Sequence, residues 1–192
     1  MNPDRFDAQL PVIQIPDQRE MCFRWLTEND LPALQKIFSQ PQVVRFMSTE
    51  PQQDESQARA YLQSIRDGFA SGDLYQWGLE YRGDIVGTST LAGIERDNHH
   101  AEIGFALSPE YWGKGLMRRA IPAVLGFAFE RLGLRRITAD VDPRNTPSLR
   151  LLAALGFQEE GLLRQRYEHM GEIQDALILG LLRDDWTRDN GF

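Results

Sequence analysis

The chain has 192 residues, of which 42% are apolar and 26% are charged, and its formal net charge is −7. This length suits one well-buried domain rather than two. The acidic balance argues against nonspecific nucleic-acid binding, which requires a basic face that releases counterions.

Cysteine usage and the apolar runs bear on the compartment of the protein. Cys22 is the only cysteine, so no internal disulfide can form. The N-terminal residues lack the long apolar core of a signal peptide. No run of about 18 apolar residues occurs, so no transmembrane helix is expected. We therefore predict a cytoplasmic protein without nucleic-acid or membrane partners.

The first half of the chain predicts an extended arm followed by strands and helices. Three prolines and the lack of periodicity predict an N-terminal arm over residues 1–19. Apolar periodicity then predicts a strand at 21–27, a helix at 28–38, a loop at 40–51, a helix at 54–70, and strands at 74–81 and 85–91. The short glycine turn between the last two strands favours a hairpin.

The second half predicts one crossover unit and a long hairpin. In chain order, the elements are a strand at 101–107, a helix to about 132, a strand at 135–141, a short helix at 147–155, and two antiparallel strands around Met170-Gly171. Pro122 is expected to bend the longer helix, and the residues from Asp184 onward are expected to form a polar, frayed tail. This pattern predicts a single α/β or α+β domain with a mixed sheet, spanning residues 20–186 and followed by a tail at 187–192.

A glycine turn after the third predicted strand has the character of an anion site. Gly113 and Gly115 allow positive φ and a close backbone approach to a ligand. The helix that follows presents unpaired amides, and Lys114, Arg118 and Arg119 oppose its dipole unless an anion is bound. The dinucleotide pattern G-x-G-x-x-G fails because Arg118 stands at the third glycine, and no P-loop string occurs. A phosphate site of another class is one interpretation; a plain turn with solvated basic residues is the other.

The motifs around this turn, taken together, are more specific than the turn alone. They are Glu102-Ile-Gly-Phe-Ala-Leu107, Trp112-Gly-Lys-Gly-Leu-Met117, Phe129-Glu-Arg-Leu-Gly133, Asp142-Pro-Arg-Asn145-Thr-Pro-Ser148 and Leu155-Gly-Phe157. This set resembles the GNAT superfamily of N-acetyltransferases, in particular its RimJ/RimL-type branch, over about residues 21–186. Glu110 departs from the family pattern, which usually has Gln or Arg there. Because the turn acts through backbone amides, we expect the cofactor site to be retained.

The resemblance implies a fold and a donor substrate. The fold is a twisted, mostly antiparallel sheet flanked by helices, with a splayed strand pair that holds acetyl-CoA. The pyrophosphate would bind the amides of residues 113–118, and the pantetheine arm would pair with the strand around Phe105–Leu107. The residues expected to contact the cofactor are Phe105, Leu107, Trp112, Gly113, Lys114, Gly115, Leu116, Met117, Arg118 and Asn145. No metal is expected, since His99 and His100 have no further ligand at suitable spacing.

Acetyl transfer from a thioester to an amine requires amine deprotonation, oxyanion stabilisation and protonation of the leaving thiolate. The resemblance suggests Glu102 as the base, directly or through water, and Ser148 as the acid, with Tyr167 as a second choice for the acid. A backbone N–H near Phe105–Leu107 would stabilise the oxyanion. Each of these residues also has a purely structural interpretation. Glu102 would be a solvent-facing or ion-paired glutamate on a strand, Ser148 a serine suited to a helix N-terminus, and Asn145 a turn or cap residue.

Several other residues have two interpretations. The histidine pair 99–100 lines the acceptor site or is simply exposed. Trp77 and Phe46 shape the acceptor pocket or belong to the core. Cys22 is interpreted as a strand filler rather than a nucleophile.

We therefore expect an acetyl-CoA-dependent N-acetyltransferase that uses direct transfer in a ternary complex. The acceptor is a protein N-terminal amine, of the ribosomal-protein type, or a small amine such as a polyamine, amino acid or antibiotic. Alternatives are a non-catalytic acyl-CoA-binding module and a nucleotide-binding protein. Residues around 38–55 and 95–100 are expected to set acceptor choice, and the oligomeric state is open between monomer and homodimer.

Overall fold

One eight-stranded sheet organises the chain in a computed structural model, which describes residues 9–190, with side chains described to residue 186. Its strands are β1 (Ile13–Gln14), β2 (Met21–Arg24), β3 (Leu74–Tyr81), β4 (Asp84–Glu95), β5 (His100–Leu107), β6 (Arg136–Val141), β7 (Gln158–His169) and β8 (Glu172–Leu182). The spatial order is β1-β2-β3-β4-β5-β6-β8-β7. Only β5 and β6 pair in parallel among these strands. The predicted mixed, mostly antiparallel sheet is confirmed.

Helices cover both faces of this sheet. They are α1 (Leu31–Phe38), α2 (Pro41–Val44), α3 (Glu55–Ser71), α4 (Leu116–Gly126), α5 (Thr146–Ala154) and α6 (Arg183–Asn190). A 3-10 turn, Glu28–Asp30, leads into α1, and a π-helical segment, Phe127–Arg131, continues α4. The apolar residues of α1 and α3 form one core on one face, whereas α4 and α5 pack into a second core on the other. Within the described part of the chain, no helix is long and apolar enough to cross a membrane.

Local sequence signals explain where α3 begins and ends. The Asp54 side chain accepts a hydrogen bond of 3.0 Å from the Gln57 amide and so caps the first turn. Gly72 ends the helix with φ at 85°, which a left-handed C-terminal cap requires. Between these caps the residues at helical spacing are buried against the sheet: Ala58, Leu62 and Ile65.

Three short elements differ from the sequence-based expectation. β1 lies inside the predicted arm, because Ile13 pairs with Phe23 of β2 and is itself buried. One helical turn, α2, replaces part of the predicted loop and begins at Pro41, whose fixed φ suits a first helical position. The predicted frayed tail is wrong over 184–190, which belong to α6, and the ring centre of Trp186 lies 6.2 Å from that of Phe129.

Both ends of the chain extend beyond the described residues. Residues 1–8 of the predicted arm and residues 191–192 of the predicted tail lie outside the described residues. The domain boundaries at 19/20 and 186/187 stay a prediction. Pro122 lies inside α4, and the helix continues past it to Gly126.

The feature that positions the site is a wedge between β5 and β6. These strands pair at three positions, ending with Glu102 opposite Thr138. Beyond that point β5 remains paired with β4 as far as Leu107, and β6 remains paired with β8 as far as Val141. The two strands therefore separate directly after Glu102.

Candidate active site

Every second residue of β5 directs its backbone N–H and C=O groups into the wedge. The Ser108 amide donates a 2.8 Å hydrogen bond to the Val86 carbonyl of β4. Because hydrogen-bonding direction alternates along an antiparallel strand, the backbone groups of Phe105 and Leu107 point away from β4 and into the wedge. The Leu107 carbonyl accepts a 2.7 Å bond from the indole nitrogen of Trp112. The wedge thus presents a strand edge to which an extended ligand can bind.

The glycine turn lies at the end of this strand edge. Gly113 and Gly115 have φ values of 71° and 70°, in the left-handed region that favours glycine. Gly115 caps α4 without a side-chain hydrogen bond, and the first helical bond, from Arg119 N–H to Gly115 O, is 3.3 Å long. A Cβ placed on either glycine would meet nothing within 4 Å. The turn is therefore open at both glycines, and the helix that it opens has first-turn amides without helical partners, which suits binding of an anion.

The side chains of the turn divide into buried anchors and exposed cations. Leu116 and Met117 are only 2% and 6% exposed, so they anchor the helix in the core and only their backbones can reach a ligand. The ammonium group of Lys114 lies 5.1 Å from the ring centre of Tyr111, and Arg118 is exposed. These residues fit a diphosphate, which combines backbone amides with nearby cations.

The departure from the family pattern at Glu110 has a local explanation. Its carboxylate lies 2.9 Å from Nζ of Lys36 on α1. Both side chains are exposed, so this ion pair adds little stability. In this arrangement the Glu110 carboxylate is paired with Lys36 of α1 rather than with a cation of the glycine turn.

Glu102 projects from β5 at the point where the wedge opens. It lies on the face of Ala106, which packs with α1 and α3, whereas Ile103 packs with α4 on the other face. The side chain is open to solvent, yet the surrounding protein desolvates it. This desolvation, followed by the negative charge of Asp140, raises the pKa of Glu102, and Arg166 opposes the shift.

Asp140 and two residues of β7 form a cluster across the wedge from Glu102. The Tyr167 hydroxyl donates a 2.7 Å hydrogen bond to Oδ2 of Asp140. Nε of Arg166 lies 3.7 Å from the same oxygen, and the Asp140 side chain is only 8% exposed. Asp140 follows Thr138 by two residues and so shares its face of β6. Sequence reasoning missed Asp140 and Arg166.

The environment of Tyr167 bears on its predicted role as an acid. Burial and then the hydrogen bond to Asp140 raise the pKa of Tyr167, so its hydroxyl keeps its proton. That proton is directed at Asp140 in this arrangement. Tyr167 thus lies beside Asp140 at the wedge, with its hydroxyl already engaged.

A second polar contact closes the base of the wedge. Nε2 of His100 lies 2.8 Å from the hydroxyl oxygen of Thr138, and Nδ1 lies 3.6 Å from a carboxylate oxygen of Glu95. His100 and Thr138 flank Glu102 on the same face, so the histidine lines the site. His99 instead has φ of 50° and joins the preceding turn to the sheet through its carbonyl.

Asn145 and Ser148 lie at the start of α5. The side-chain oxygen of Asn145 accepts a 3.4 Å bond from the Ser148 amide, so the cap interpretation of Asn145 holds. Because α5 packs with α4, Ser148 and Glu102 belong to opposite faces of the sheet. The wedge, as a gap between two strands, connects the two faces. The structure therefore does not bring the two catalytic candidates into one hydrogen-bonded pair.

Three further residues receive definite positions. Trp77 is fully buried in the core on the α4 face and donates a 3.1 Å hydrogen bond to the Pro11 carbonyl, so the core interpretation applies. Phe46 lies between the guanidinium groups of Arg45 and Arg144, at 5.0 and 5.4 Å. Burial raises the pKa of Cys22, as expected of a strand filler.

Among residues 9–190, no group of three His, Cys, Asp or Glu is placed to hold a metal ion.

A split β-sheet next to a glycine-opened helix is the arrangement of an acyltransferase that binds its donor between two strands. The family "Acetyltransferase (GNAT) domain" matches residues 20–158. The chain therefore belongs to the GNAT acetyltransferase family, and it is an N-acetyltransferase. This confirms the resemblance inferred from the motifs.

Individual relatives agree with this assignment. An uncharacterised N-acetyltransferase, p20, of Bacillus licheniformis is 34% identical over 87% of this chain and 95% of its own. The ribosomal protein uS5 alanine N-acetyltransferase of Escherichia coli is 30% identical over 72% of this chain and 75% of its own. The structure of Mycobacterium smegmatis RimJ in complex with CoA-disulfide is 25% identical and superposes with a TM-score of 0.80, over 86% of this chain and 83% of that one.

Proposed function

We propose that this protein transfers the acetyl group of acetyl-CoA to a primary amine by direct attack in a ternary complex. The observation that carries the proposal is the wedge that opens directly after Glu102, with the glycine turn at the far end of the same strand. A strand edge and an anion site in line suit a ligand that has an extended arm and a diphosphate. Acetyl-CoA, when bound, supplies an activated thioester.

The donor half of the site uses mainly backbone groups. The amides of residues 113–118 would bind the diphosphate, with Lys114 and Arg118 as neighbouring cations. The backbone groups of Phe105 and Leu107 would pair with the extended arm, and one of their N–H groups would stabilise negative charge on the acetyl oxygen. Trp112 and the cap residue Asn145 border this path. The RimJ structure with bound CoA-disulfide supports this assignment.

Proton transfer falls to Glu102 and Ser148. Glu102 would accept the proton of the attacking amine at a carboxylate oxygen, directly or through water. Its raised pKa makes it a stronger base than an ordinary carboxylate. Ser148, on the opposite face, would donate a proton to the departing thiolate. Thiols have pKa values near 8.5, so this second step assists the reaction without being indispensable.

The acceptor is an amine, and a protein N-terminal amine is our first choice. The relative that acetylates ribosomal protein uS5 at alanine supports this choice. A small amine is the second choice, because Glu102 and Asp140 place two carboxylates beside the wedge, and carboxylates attract a compact ammonium ion. A non-catalytic acyl-CoA-binding module on the same fold would keep the donor half without turnover.

The test is a panel of amines and N-terminal peptides with acetyl-CoA, with free thiol followed by a chromogenic reagent and the product by mass spectrometry. We expect one acetyl group to be added per thiol released. Glu102→Gln should lower kcat about 100-fold or more, in line with general base catalysis, and Ser148→Ala should have a smaller effect. Glu20→Gln is the control, because it neutralises an exposed carboxylate that pairs with Arg82 next to β2, three strands away from β5.

Two outcomes would change the proposal. If acetyl-CoA raises the melting temperature but no amine is acetylated, the binding module is favoured, since any native-state ligand stabilises by mass action. If turnover is normal in the double variant of Glu102 and Ser148, their catalytic assignment is wrong.

A further inference from the structure

An open groove of about 820 Å³ runs along the β7–β8 hairpin. It is created by a bulge, because three residues of β7, 164–166, lie opposite the single residue Asp175 between two regular stretches of pairing. Gln165 has φ of 53°, and its amide donates a 2.7 Å bond to Oδ1 of Asp175. The groove is lined by Leu162, Leu163, Arg164, Gln165, Arg166 and Asp175.

Two neighbouring residues of β7 link this groove to the wedge. Arg166 lines the groove and also approaches Asp140, which faces Glu102 across the wedge. Tyr167, the next residue of β7, bonds directly to Asp140. An acceptor whose amine reaches Glu102 would therefore have its adjoining residues directed over the bulge of β7.

The charge of the groove contrasts with that of the whole chain. Two of its six lining residues are arginines and one is an aspartate, whose carboxylate already accepts the Gln165 amide. The chain as a whole carries a formal charge of −7. Leu162 and Leu163 add apolar surface, at 50% and 42% exposure. These properties suit an extended segment with acidic side chains and repel the distal ammonium groups of a polycation.

We infer that this groove binds the residues that follow the acetylated amine of a peptide or protein acceptor, and that it selects acidic over cationic segments. The inference rests on the proposed N-acetyltransferase function and specifies its acceptor. An extended peptide advances by roughly 3.4 Å per residue. Because β7 lies three strands from β5 and neighbouring strands are roughly 4.8 Å apart, the span is about 14 Å. An amine at Glu102 therefore places about the third to fifth residues of the acceptor beside Arg164 and Arg166.

The experiment compares an acidic peptide, a lysine peptide and spermidine as acceptors. The two peptides share their first two residues and carry either acidic residues or lysines at positions three to five. The main variant is Arg164→Glu, because Arg166 also touches Asp140 and its replacement would disturb the wedge. Arg19→Glu is the matched control, since Arg19 is an exposed loop residue between β1 and β2 at the opposite sheet edge. The readout is kcat/KM for each acceptor at low and high salt.

We expect the wild-type protein to favour the acidic peptide over both cationic acceptors. In Arg164→Glu, the ratio of kcat/KM for the acidic peptide to that for the lysine peptide should fall about fivefold, because a solvent-exposed charge interaction is reversed. High salt should weaken the wild-type preference, and Arg19→Glu should leave it unchanged. KM for acetyl-CoA should be the same in all three proteins, which also reports that each is folded.

A wild-type preference for the lysine peptide or spermidine would overturn the inference, as would a ratio that Arg164→Glu leaves unchanged. Both results would leave the proposed N-acetyltransferase function intact, because turnover would still occur. Absence of turnover on every amine is the distinct result that would refute the proposed function itself.

Discussion

Replacing Gly115 by alanine tests whether the glycine turn is a ligand site or only a turn. Gly115 has φ of 70°, and a Cβ there would meet nothing within 4 Å. The cost to the free protein is therefore conformational alone. A non-glycine residue in the left-handed region costs roughly 1–2 kcal/mol, and the stiffer unfolded chain returns part of that. We expect the free energy of unfolding to fall by about 1 kcal/mol and Tm to fall by about 2–4 °C.

The effect on donor binding should be larger. The added methyl group would occupy the space that we assign to the diphosphate and weaken at least one charge-assisted hydrogen bond, worth about 1.5–3 kcal/mol. The dissociation constant for acetyl-CoA should rise roughly 10- to 100-fold. Calorimetric titration measures this constant, and thermal unfolding without ligand measures the stability cost.

Gly133 supplies a matched control. It has φ of 69°, a Cβ there would also meet nothing within 4 Å, and it lies beyond the other end of α4. Gly133→Ala should lower stability as much as Gly115→Ala and leave acetyl-CoA binding unchanged. Equal affinities in the two variants would refute the reasoning, because strain alone would then account for the glycine at 115.

Gly87→Ala should lower the free energy of unfolding by about 1–3 kcal/mol, because the new Cβ would clash with the Ala106 carbonyl oxygen of β5. Urea titration measures this change, and unchanged stability would contradict the expectation. Asp140→Asn removes a negative charge that raises the pKa of Glu102, so that pKa should fall and the acidic limb of the kcat/KM profile should move to lower pH. A limb that stays in place or moves to higher pH would argue against Glu102 as the titrating base. Gly126→Ala, in α4 with open space around the new methyl group, should stabilise the protein by about 0.5–1 kcal/mol in thermal unfolding.

Elements with a strong local signal were predictable from sequence. The helix α3 has an aspartate cap, apolar residues at helical spacing and a closing glycine, and its predicted span of 54–70 agrees with Glu55–Ser71. The β3–β4 hairpin follows from two apolar runs and a glycine turn. By contrast, β1 has two residues and exists only because β2 offers it an edge to pair with. Such an element carries too little local information to be recognised.

The glycine turn, where we propose that the donor binds, was predictable for a related reason. Its chemistry depends on glycines and on a helix start, which leave a mark within a few consecutive residues such as Gly113–Met117. The cluster of Asp140, Arg166 and Tyr167 joins residues 26 or 27 positions apart. Only the wedge, the strand order β6-β8-β7 and the bulge at 164–166 bring them together. The strand RITADV alternates polar and apolar residues, so its aspartate stands at an ordinary polar position and its partners leave no local signal.

The proposed donor and acceptor regions lie on different parts of the sheet, so that residues of one can change without changing the other. The glycine turn precedes α4, which packs on one face of the sheet, whereas Glu102 lies on the opposite face. The groove that we infer for the acceptor belongs to β7. This is an edge strand, and eleven of its twelve residues are exposed. Substitutions on an exposed edge strand usually change stability by less than 0.5 kcal/mol. Arg164 can therefore be exchanged at little structural cost, while the backbone of the glycine turn, our proposed donor site, remains anchored by buried residues such as Leu116.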